Sequence, residues 1–172
     1  GVTCQVANSV YEIGAYAFAK GSNLNQIEFE EVSNVKYVGE GAFSDNSDIT
    51  VHLPMSVIRI GSKCFMNCVN AGTERISIEN SSIEELPEWT FYGCRNIRNP
   101  IMPKTLKVIK AKAFEGCVNV ESVDLNEGLL EIEPDAFSQC TNLHEIAIPE
   151  GITEIKEGTF SGCSNLNVVE LP

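Results

Sequence analysis

A segment built around one phenylalanine recurs seven times in this chain of 172 residues, at intervals of 22 to 26 residues. The last three copies are 23 residues apart and read "AFEGCVNVESVDL", "AFSQCTNLHEIAI" and "TFSGCSNLNVVEL". Aliphatic residues precede each phenylalanine by five and eight positions. A unit of about 23 residues cannot bury a core alone, so the copies must stack and share one. The seven phenylalanines are Phe18, Phe43, Phe65, Phe91, Phe114, Phe137 and Phe160.

The pattern inside each copy predicts its local structure. Two apolar residues flank one polar residue, as in Val51 and Leu53 around His52, and this alternation is typical of a strand with one buried face. A shorter V/I-x-x-I segment predicts a second row of strands, and "AFxxC" predicts a single helical turn or 3₁₀ turn. We therefore expect a solenoid of seven to eight coils, with parallel strands about 4.8 Å apart and little or no α-helix.

The segment "GITEIKEGTFSGCSNLNVVELP" resembles the BspA-like, treponemal-type leucine-rich repeat, and the resemblance extends from Cys4 to Pro172. It implies a leucine-rich-repeat solenoid, which we take as a single domain over residues 1–172. Such repeats are known mostly from exported or surface proteins of host-associated bacteria and from protozoan parasites, where they are implicated in adhesion. The resemblance thus implies a secreted or cell-surface protein.

Three positions depart from the repeat. Pro100 stands where the strand pattern expects Val or Ile, and because proline has no N–H to donate, we expect a weak or irregular strand there. Two extra residues, around "GTE", precede the strand at Ile76. Trp89 occupies an outward, variable position, where it is either an isolated surface residue or an anchor for a partner.

Cysteine also follows the repeat, which suggests a disulfide framework, a metal site or one small buried slot. Coils stacked in register place such residues along a line, and a line of thiolates cannot converge on one zinc with Zn–S distances of about 2.3 Å. Neighbouring coils lie within disulfide range, although parallel Cβ vectors disfavour a bond. Gly21 and Asn46 fill the same slot. We therefore expect buried, reduced thiols that pack as small hydrophobes at Cys94, Cys117, Cys140 and Cys163.

An asparagine usually follows the phenylalanine by five residues, as at Asn142. An amide carries both donor and acceptor groups, which favours a role in pairing backbone groups at a buried corner. The alternative is an exposed turn residue.

Charge narrows the class of partner. The net charge of −12 argues against nucleic-acid binding, which requires basic residues to neutralise phosphates, and no apolar run is long enough for a transmembrane segment. The repeat step pairs four basic residues with acids on the next coil. The stacked acids Glu131 and Glu154 suggest calcium only weakly, since no calcium-loop motif accompanies them. The predicted pairs are Arg98–Glu121, Lys104–Glu127, Lys110–Glu133 and Lys112–Asp135.

No catalytic constellation is present in the sequence. His52 and His144 belong to coils four steps apart, and no GxSxG, Walker A, GxGxxG or HExxH motif occurs. We predict a non-enzyme with no catalytic, cofactor-binding or metal-binding residues.

The remaining candidate is the outer face of the strands, because solenoids commonly bind partners on an extended sheet face. We predict a protein or glycan ligand there, and a non-catalytic interaction or adhesion module. The alternative is a structural spacer or intracellular scaffold, which free cysteines in a reducing cytosol would suit. The predicted contact residues are Gln26, Glu28, Thr50, His52, Arg75, Ser77, Asn99, Ile101, Ser122, Asp124, Glu145 and Glu170.

The chain starts inside one repeat and stops inside another. We therefore expect a fragment of a longer array, or a unit whose exposed ends allow end-to-end self-association.

Overall fold

The computed structural model describes residues 1–21 and 23–172 and shows a parallel β-solenoid without helix in those residues. The fold class predicted from the repeat is confirmed. The described strands are β1 (Val2–Val6), β2 (Glu12–Ile13), β3 (Leu24–Phe29), β4 (Tyr37–Val38), β5 (Thr50–His52), β6 (Arg59–Ile60), β7 (Ile76–Ser77), β8 (Glu85–Leu86), β9 (Val108–Ile109), β10 (Glu131–Ile132), β11 (Glu145–Ala147) and β12 (Val168–Glu170).

Two rows of strands run along the solenoid. The first row contains the parallel sheet β1-β3-β5-β7, an isolated bridge between Ile101 and Asp124, and the pair β11-β12. The second row contains two three-stranded parallel sheets, β2-β4-β6 and β8-β9-β10. The pattern predicts both rows, but neither is continuous. The first row breaks after β7 and again between Asp124 and β11, and the second row breaks between β6 and β8.

The coil formed by residues 71–93, which we call coil 4, lies at the break after β7 and at the break between β6 and β8. Its strand β7 pairs with the preceding coil through β5, and its strand β8 pairs with the following coil through β9. Coil 4 is also the copy that carries the extra residues around "GTE". The insertion therefore coincides with the place where the two rows change partners.

The seven phenylalanines form one stack along the third side of the solenoid. Their ring centroids are 5.2–5.8 Å apart and neighbouring rings are nearly parallel. Phe43, Phe65, Phe114 and Phe137 are fully buried. The stack crosses coil 4 without interruption, with 5.6 Å from Phe65 to Phe91 and 5.2 Å from Phe91 to Phe114.

The segments around the phenylalanines are tight turns with a repeated backbone conformation. The residues two before and two after each phenylalanine have left-handed φ angles of 55–77°. This conformation is uncommon for residues other than glycine, yet nine of these fourteen positions carry a side chain. The expected turns are present, but the helical or 3₁₀ conformation predicted for them is wrong for the described residues.

Hydrogen bonds between coils explain why the turns adopt this conformation. Each phenylalanine N–H, as far as Phe137, donates to a carbonyl of the next coil at 2.8–3.0 Å, for example Phe91 to Ala113 and Phe114 to Ala136. The residues at the left-handed positions donate in the same direction, as Asn67 does to Tyr92. The alternation aims every second N–H at the next coil, so the turns form a ladder of their own.

Cys68, Cys94, Cys117, Cys140 and Cys163 occupy the predicted buried slot, and all seven cysteines of the chain are free. Their thiols do more than fill space. Cys94 Sγ donates to the carbonyl of Phe65 at 3.0 Å and Cys117 Sγ to that of Phe91 at 3.0 Å. Cys68, Cys140 and Cys163 make the same contact at 3.1–3.3 Å.

Asn46 shows that a side chain in this slot can serve as a hydrogen-bond donor. Its Nδ2 donates to the carbonyl of Phe18 at 2.7 Å, and its Oδ1 accepts from the N–H of Gly21 at 2.9 Å. The prediction that the slot selects only for small size is therefore incomplete, because thiol and amide share the ability to donate to the preceding coil.

The asparagine row is exposed, so its predicted burial is wrong. The side chains nevertheless pair backbone groups between coils. Asn96 Nδ2 donates to the carbonyl of Asn70 at 2.9 Å, and Asn165 Nδ2 donates to that of Thr141 at 2.8 Å. These bonds form an outer seam on the solenoid surface.

Two of the four predicted ion pairs form. Lys110 Nζ lies 3.0 Å from Glu133 Oε1, and Arg98 lies 3.5 Å from Glu121. Lys104–Glu127 and Lys112–Asp135 do not occur among the ion pairs of the described residues.

A lysine pairs with one of the two acids, Glu131 and Glu154, that the repeat step predicts to stack. Lys156 Nζ donates to Glu131 Oε2 at 2.8 Å, and this bond holds the pKa of Glu131 below its usual range.

Truncating a central ring should destabilise the whole solenoid. We expect Phe114→Ala to lower the free energy of unfolding by about 3–5 kcal/mol, because it leaves a cavity and removes two ring contacts. Phe160→Ala is the matched control and should cost less, since Phe160 is only half-buried and stacks on one described ring, Phe137. Urea denaturation followed by circular dichroism measures both. Equal losses would contradict the central role of the stack.

The buried thiols should make the protein sensitive to alkaline pH. Burial raises the pKa of Cys68 to about 12, and it raises those of Cys94 and Cys117 well above the usual range. In the unfolded chain these thiols ionise at about pH 8.5. Above that pH the unfolded state loses protons that the folded state retains, so stability is full below about pH 8.5 and declines as pH rises.

Above about pH 8.5 we expect the free energy of unfolding to fall by up to about 1.4 kcal/mol per pH unit for each such thiol. Urea denaturation at a series of pH values between about 8 and 10 measures this decline in the free energy of unfolding. The triple variant Cys94→Ala/Cys117→Ala/Cys140→Ala should show a shallower slope than the parent chain. An identical slope in both proteins would refute the assignment to the thiols.

Candidate functional site

The predicted contact residues all lie on the outer face of the first row of strands or beside it. Residues that alternate with them, such as Ile27, Val51 and Ile146, are buried, as the strand pattern predicts. None of the predicted residues is buried. His52, Asn99, Ile101, Asp124, Glu145 and Glu170 are exposed, and Gln26, Glu28, Thr50, Arg75, Ser77 and Ser122 are half-buried.

Several of these side chains bond to one another across coils. Arg75 bonds to Thr50 Oγ1 at 3.4 Å and forms an ion pair with Asp48 at 3.4 Å. Ser122 Oγ donates to Asn99 Oδ1 at 3.0 Å. The structure therefore brings the predicted residues together as neighbouring pairs along a strip.

The strip is interrupted between β7 and the segment at Pro100. Before the break, the N–H groups of Val51 and Leu53 donate to carbonyls of the β7 coil at 2.7 and 2.9 Å. After it, Asp124 N donates to the carbonyl of Pro100 at 3.0 Å, and Met102 N donates back to Asp124 at 3.0 Å. No strand pairing joins β7 to residues 99–101 in the described chain. The irregular strand predicted at Pro100 is confirmed.

A threonine side chain takes the place of the missing strand partner. Thr73 Oγ1 accepts hydrogen bonds from the backbone N–H groups of Arg98 at 3.0 Å and Asn99 at 3.3 Å. Thr73 belongs to the "GTE" insertion in coil 4. The insertion therefore satisfies backbone groups that an unbroken ladder would have paired.

The break opens a cleft in the sheet face. One hollow of about 510 Å³ reaches inward to the buried residues Ile97 and Pro100. A second hollow of about 720 Å³ follows it and includes Met102 and Leu125. Both hollows include Ile101, which remains 45% exposed. Ile101 is thus an apolar ridge between two depressions.

The rim of this cleft is acidic and its floor has an unused acceptor. Glu74 and Glu79 line the first hollow, and Asp124 and Glu127 line the second. Asn126 Oδ1, also in the second hollow, is shielded from solvent and accepts no hydrogen bond from the described residues. A buried polar atom without a partner is costly, typically about 1–3 kcal/mol. The cleft therefore suits a ligand that has positive charge, apolar surface and a hydrogen-bond donor.

Of the residues that line the cleft, sequence reasoning identified His52, Ser77, Ile101 and Asp124. It missed Thr73, Glu74, Glu79 and Asn126. The available signal was the insertion, because extra residues in one coil must leave the regular ladder. Only the three-dimensional arrangement shows that they line the same cleft.

The described residues contain no group of three or more His, Cys, Asp or Glu side chains arranged to hold a metal ion. None of the described segments is a helix of the length and hydrophobicity required to cross a bilayer.

Solved structures share this architecture. A leucine-rich repeat protein from Eubacterium ventriosum superposes with a TM-score of 0.84 at 28% identity, over 94% of this chain and 43% of that one. The leucine-rich repeat protein of T. pallidum superposes with a TM-score of 0.64 at 22% identity, over 99% of this chain and 69% of that one. A leucine-rich repeat protein from Bacteroides ovatus superposes with a TM-score of 0.57 at 22% identity, over 99% of this chain and 60% of that one. The chain thus spans less than half the length of the Eubacterium protein.

No curated protein shows significant sequence similarity to this chain. The sequence profile of the BspA type leucine-rich repeat region matches it in six copies over residues 2–85 and 70–172. The profile thus matches in six copies where the phenylalanine spacing defines seven. The chain belongs to the BspA-type leucine-rich repeat family.

Proposed function

We propose that the chain is a non-catalytic protein-interaction module that binds a basic, partly apolar protein segment at the cleft beside β7. One observation carries this proposal: strand pairing in the sheet face stops after β7, and the face opens at Ile101 into two hollows with acidic rims. A partly exposed apolar residue between concave surfaces is typical of a contact anchor.

The charges support a basic partner. Glu74, Glu79, Asp124 and Glu127 line the cleft. Among the described residues of both hollows, Lys104 is the one lysine or arginine and His52 is the one histidine. Complementary charge accelerates association and favours one class of partner over others. A backbone or side-chain N–H of the partner would also satisfy Asn126 Oδ1.

A displayed library of random peptides, selected on the purified protein, tests the proposal. We expect enriched peptides to combine Lys or Arg with an aliphatic or aromatic residue. Ile101→Ser should weaken their binding at least tenfold, about 1.4 kcal/mol, because it removes the apolar ridge. Leu130→Ser is the matched control: Leu130 is 59% exposed but lies outside the cleft, so its loss should leave the affinity unchanged.

A second variant tests the contribution of the acidic rim separately from the apolar contact at Ile101. Glu74→Lys/Glu79→Lys should reduce the association rate and its dependence on salt. If no peptide is enriched, or if Ile101→Ser and the charge variant bind like the parent, the spacer or scaffold function becomes the better account of this face.

We further propose that the module acts at the surface of the cell that produces it, in adhesion to other cells or proteins. Family membership is the support for this location. Brief trypsin treatment of intact cells should release peptides cut after the exposed residues Arg98 and Lys104, detected by mass spectrometry. Release only after cell lysis would place the protein inside the cell and refute the surface location.

A further inference from the structure

A second potential site lies on the turn side of the solenoid, around Trp89. Lys63, Trp89 and Lys112 each stand two residues before a stacked phenylalanine, on three consecutive coils. Their φ angles are 60°, 58° and 61°, a conformation that is unfavourable for bulky side chains. This shared backbone conformation on stacked coils places the three side chains in one row.

The two lysines converge on the indole and not on acids. Lys63 Nζ lies 5.1 Å from the centroid of the Trp89 ring and Lys112 Nζ lies 5.9 Å from it, both within cation–π range. None of the ion pairs in the described part of the chain includes either lysine. In a chain with twice as many acids as bases, two adjacent ammonium groups that form no ion pair with a carboxylate are unexpected.

These residues border a depression of about 370 Å³, together with Met66, Tyr92 and Glu115. Tyr92 is 37% exposed, which leaves part of its ring available for contact. Glu115 Oε2 is shielded from solvent and accepts no hydrogen bond from the described residues. The depression thus offers two cations, two aromatic rings and one acceptor that lacks a donor, with one net positive charge.

We propose that this depression binds an acidic sugar residue of a glycan. The carboxylate or sulfate of the sugar pairs with Lys63 and Lys112. Its C–H surface packs on the exposed part of Tyr92 and on the indole edge, and a hydroxyl donates to Glu115 Oε2. The acidic residues of a peptide, Asp and Glu, supply the negative charge, but at neutral pH their side chains carry neither a hydroxyl donor nor a ring surface beside the carboxylate.

The site is independent of the proposed peptide-binding cleft. The two share no lining residue, and they lie on different sides of the coil. Failure of either proposal therefore leaves the other intact.

Trp89 is the only tryptophan in the chain, so intrinsic fluorescence reports directly on this site. The probes are a hyaluronan tetrasaccharide with carboxylates alone, a heparin-derived tetrasaccharide with sulfates as well, neutral chitotetraose and tetraglutamate. We expect a saturable change in Trp89 emission with either anionic tetrasaccharide, and the stronger of the two identifies the preferred group. Chitotetraose and tetraglutamate should bind at least tenfold more weakly, and about 0.5 M NaCl should weaken the binding of the anionic sugars.

The variant Lys63→Gln/Lys112→Gln should lose at least tenfold in affinity for the anionic tetrasaccharide. Lys20→Gln/Lys36→Gln is the matched control: it removes two exposed lysines that line neither this depression nor the cleft, and it should bind like the parent. Circular dichroism should show both variants folded. The proposal is overturned if neither anionic sugar changes the emission, if the Lys63/Lys112 variant binds unchanged, or if tetraglutamate binds more tightly than both sugars.

Discussion

The stack of phenylalanines, with the turn ladder that encloses it, is the constraint on which the other elements depend. Ring spacing stays within 5.2–5.8 Å through all seven coils, close to the distance between paired parallel strands. The first row of strands breaks after β7 and the second breaks before β8. The turn side therefore maintains the coil spacing where the sheets do not.

This arrangement explains which predictions from the sequence succeed. Strand positions, the phenylalanine core and the weak strand at Pro100 follow from spacing alone, because every coil repeats the same backbone. The role of the cysteines was only half predicted, since burial suggested an apolar residue. Asn46 was the informative signal: an amide in a buried slot indicates a hydrogen bond, and that bond reaches the carbonyl of Phe18.

Surface side chains were harder to predict for a physical reason. The repeat step specifies which residues are neighbours, but it does not specify where long side chains turn. Lys110 pairs with Glu133 as predicted, whereas Lys112, two residues later, points toward Trp89 instead of Asp135. Exposed ion pairs contribute at most about 1 kcal/mol, so a nearby aromatic ring is enough to redirect a lysine. The candidate glycan site could not be deduced from register alone.

Both candidate sites depend on coil 4, and the nature of a repeat gives a reason. Identical coils present identical surfaces, so a strictly periodic solenoid offers a partner no preferred position along its length. The "GTE" insertion and Trp89 break that periodicity within one coil, and Pro100 breaks it directly afterwards. Because the phenylalanine stack carries the core past this coil, the insertion can disrupt pairing in the sheets without interrupting the solenoid. The coil least like its neighbours is therefore the one where selective contacts cost the fold least.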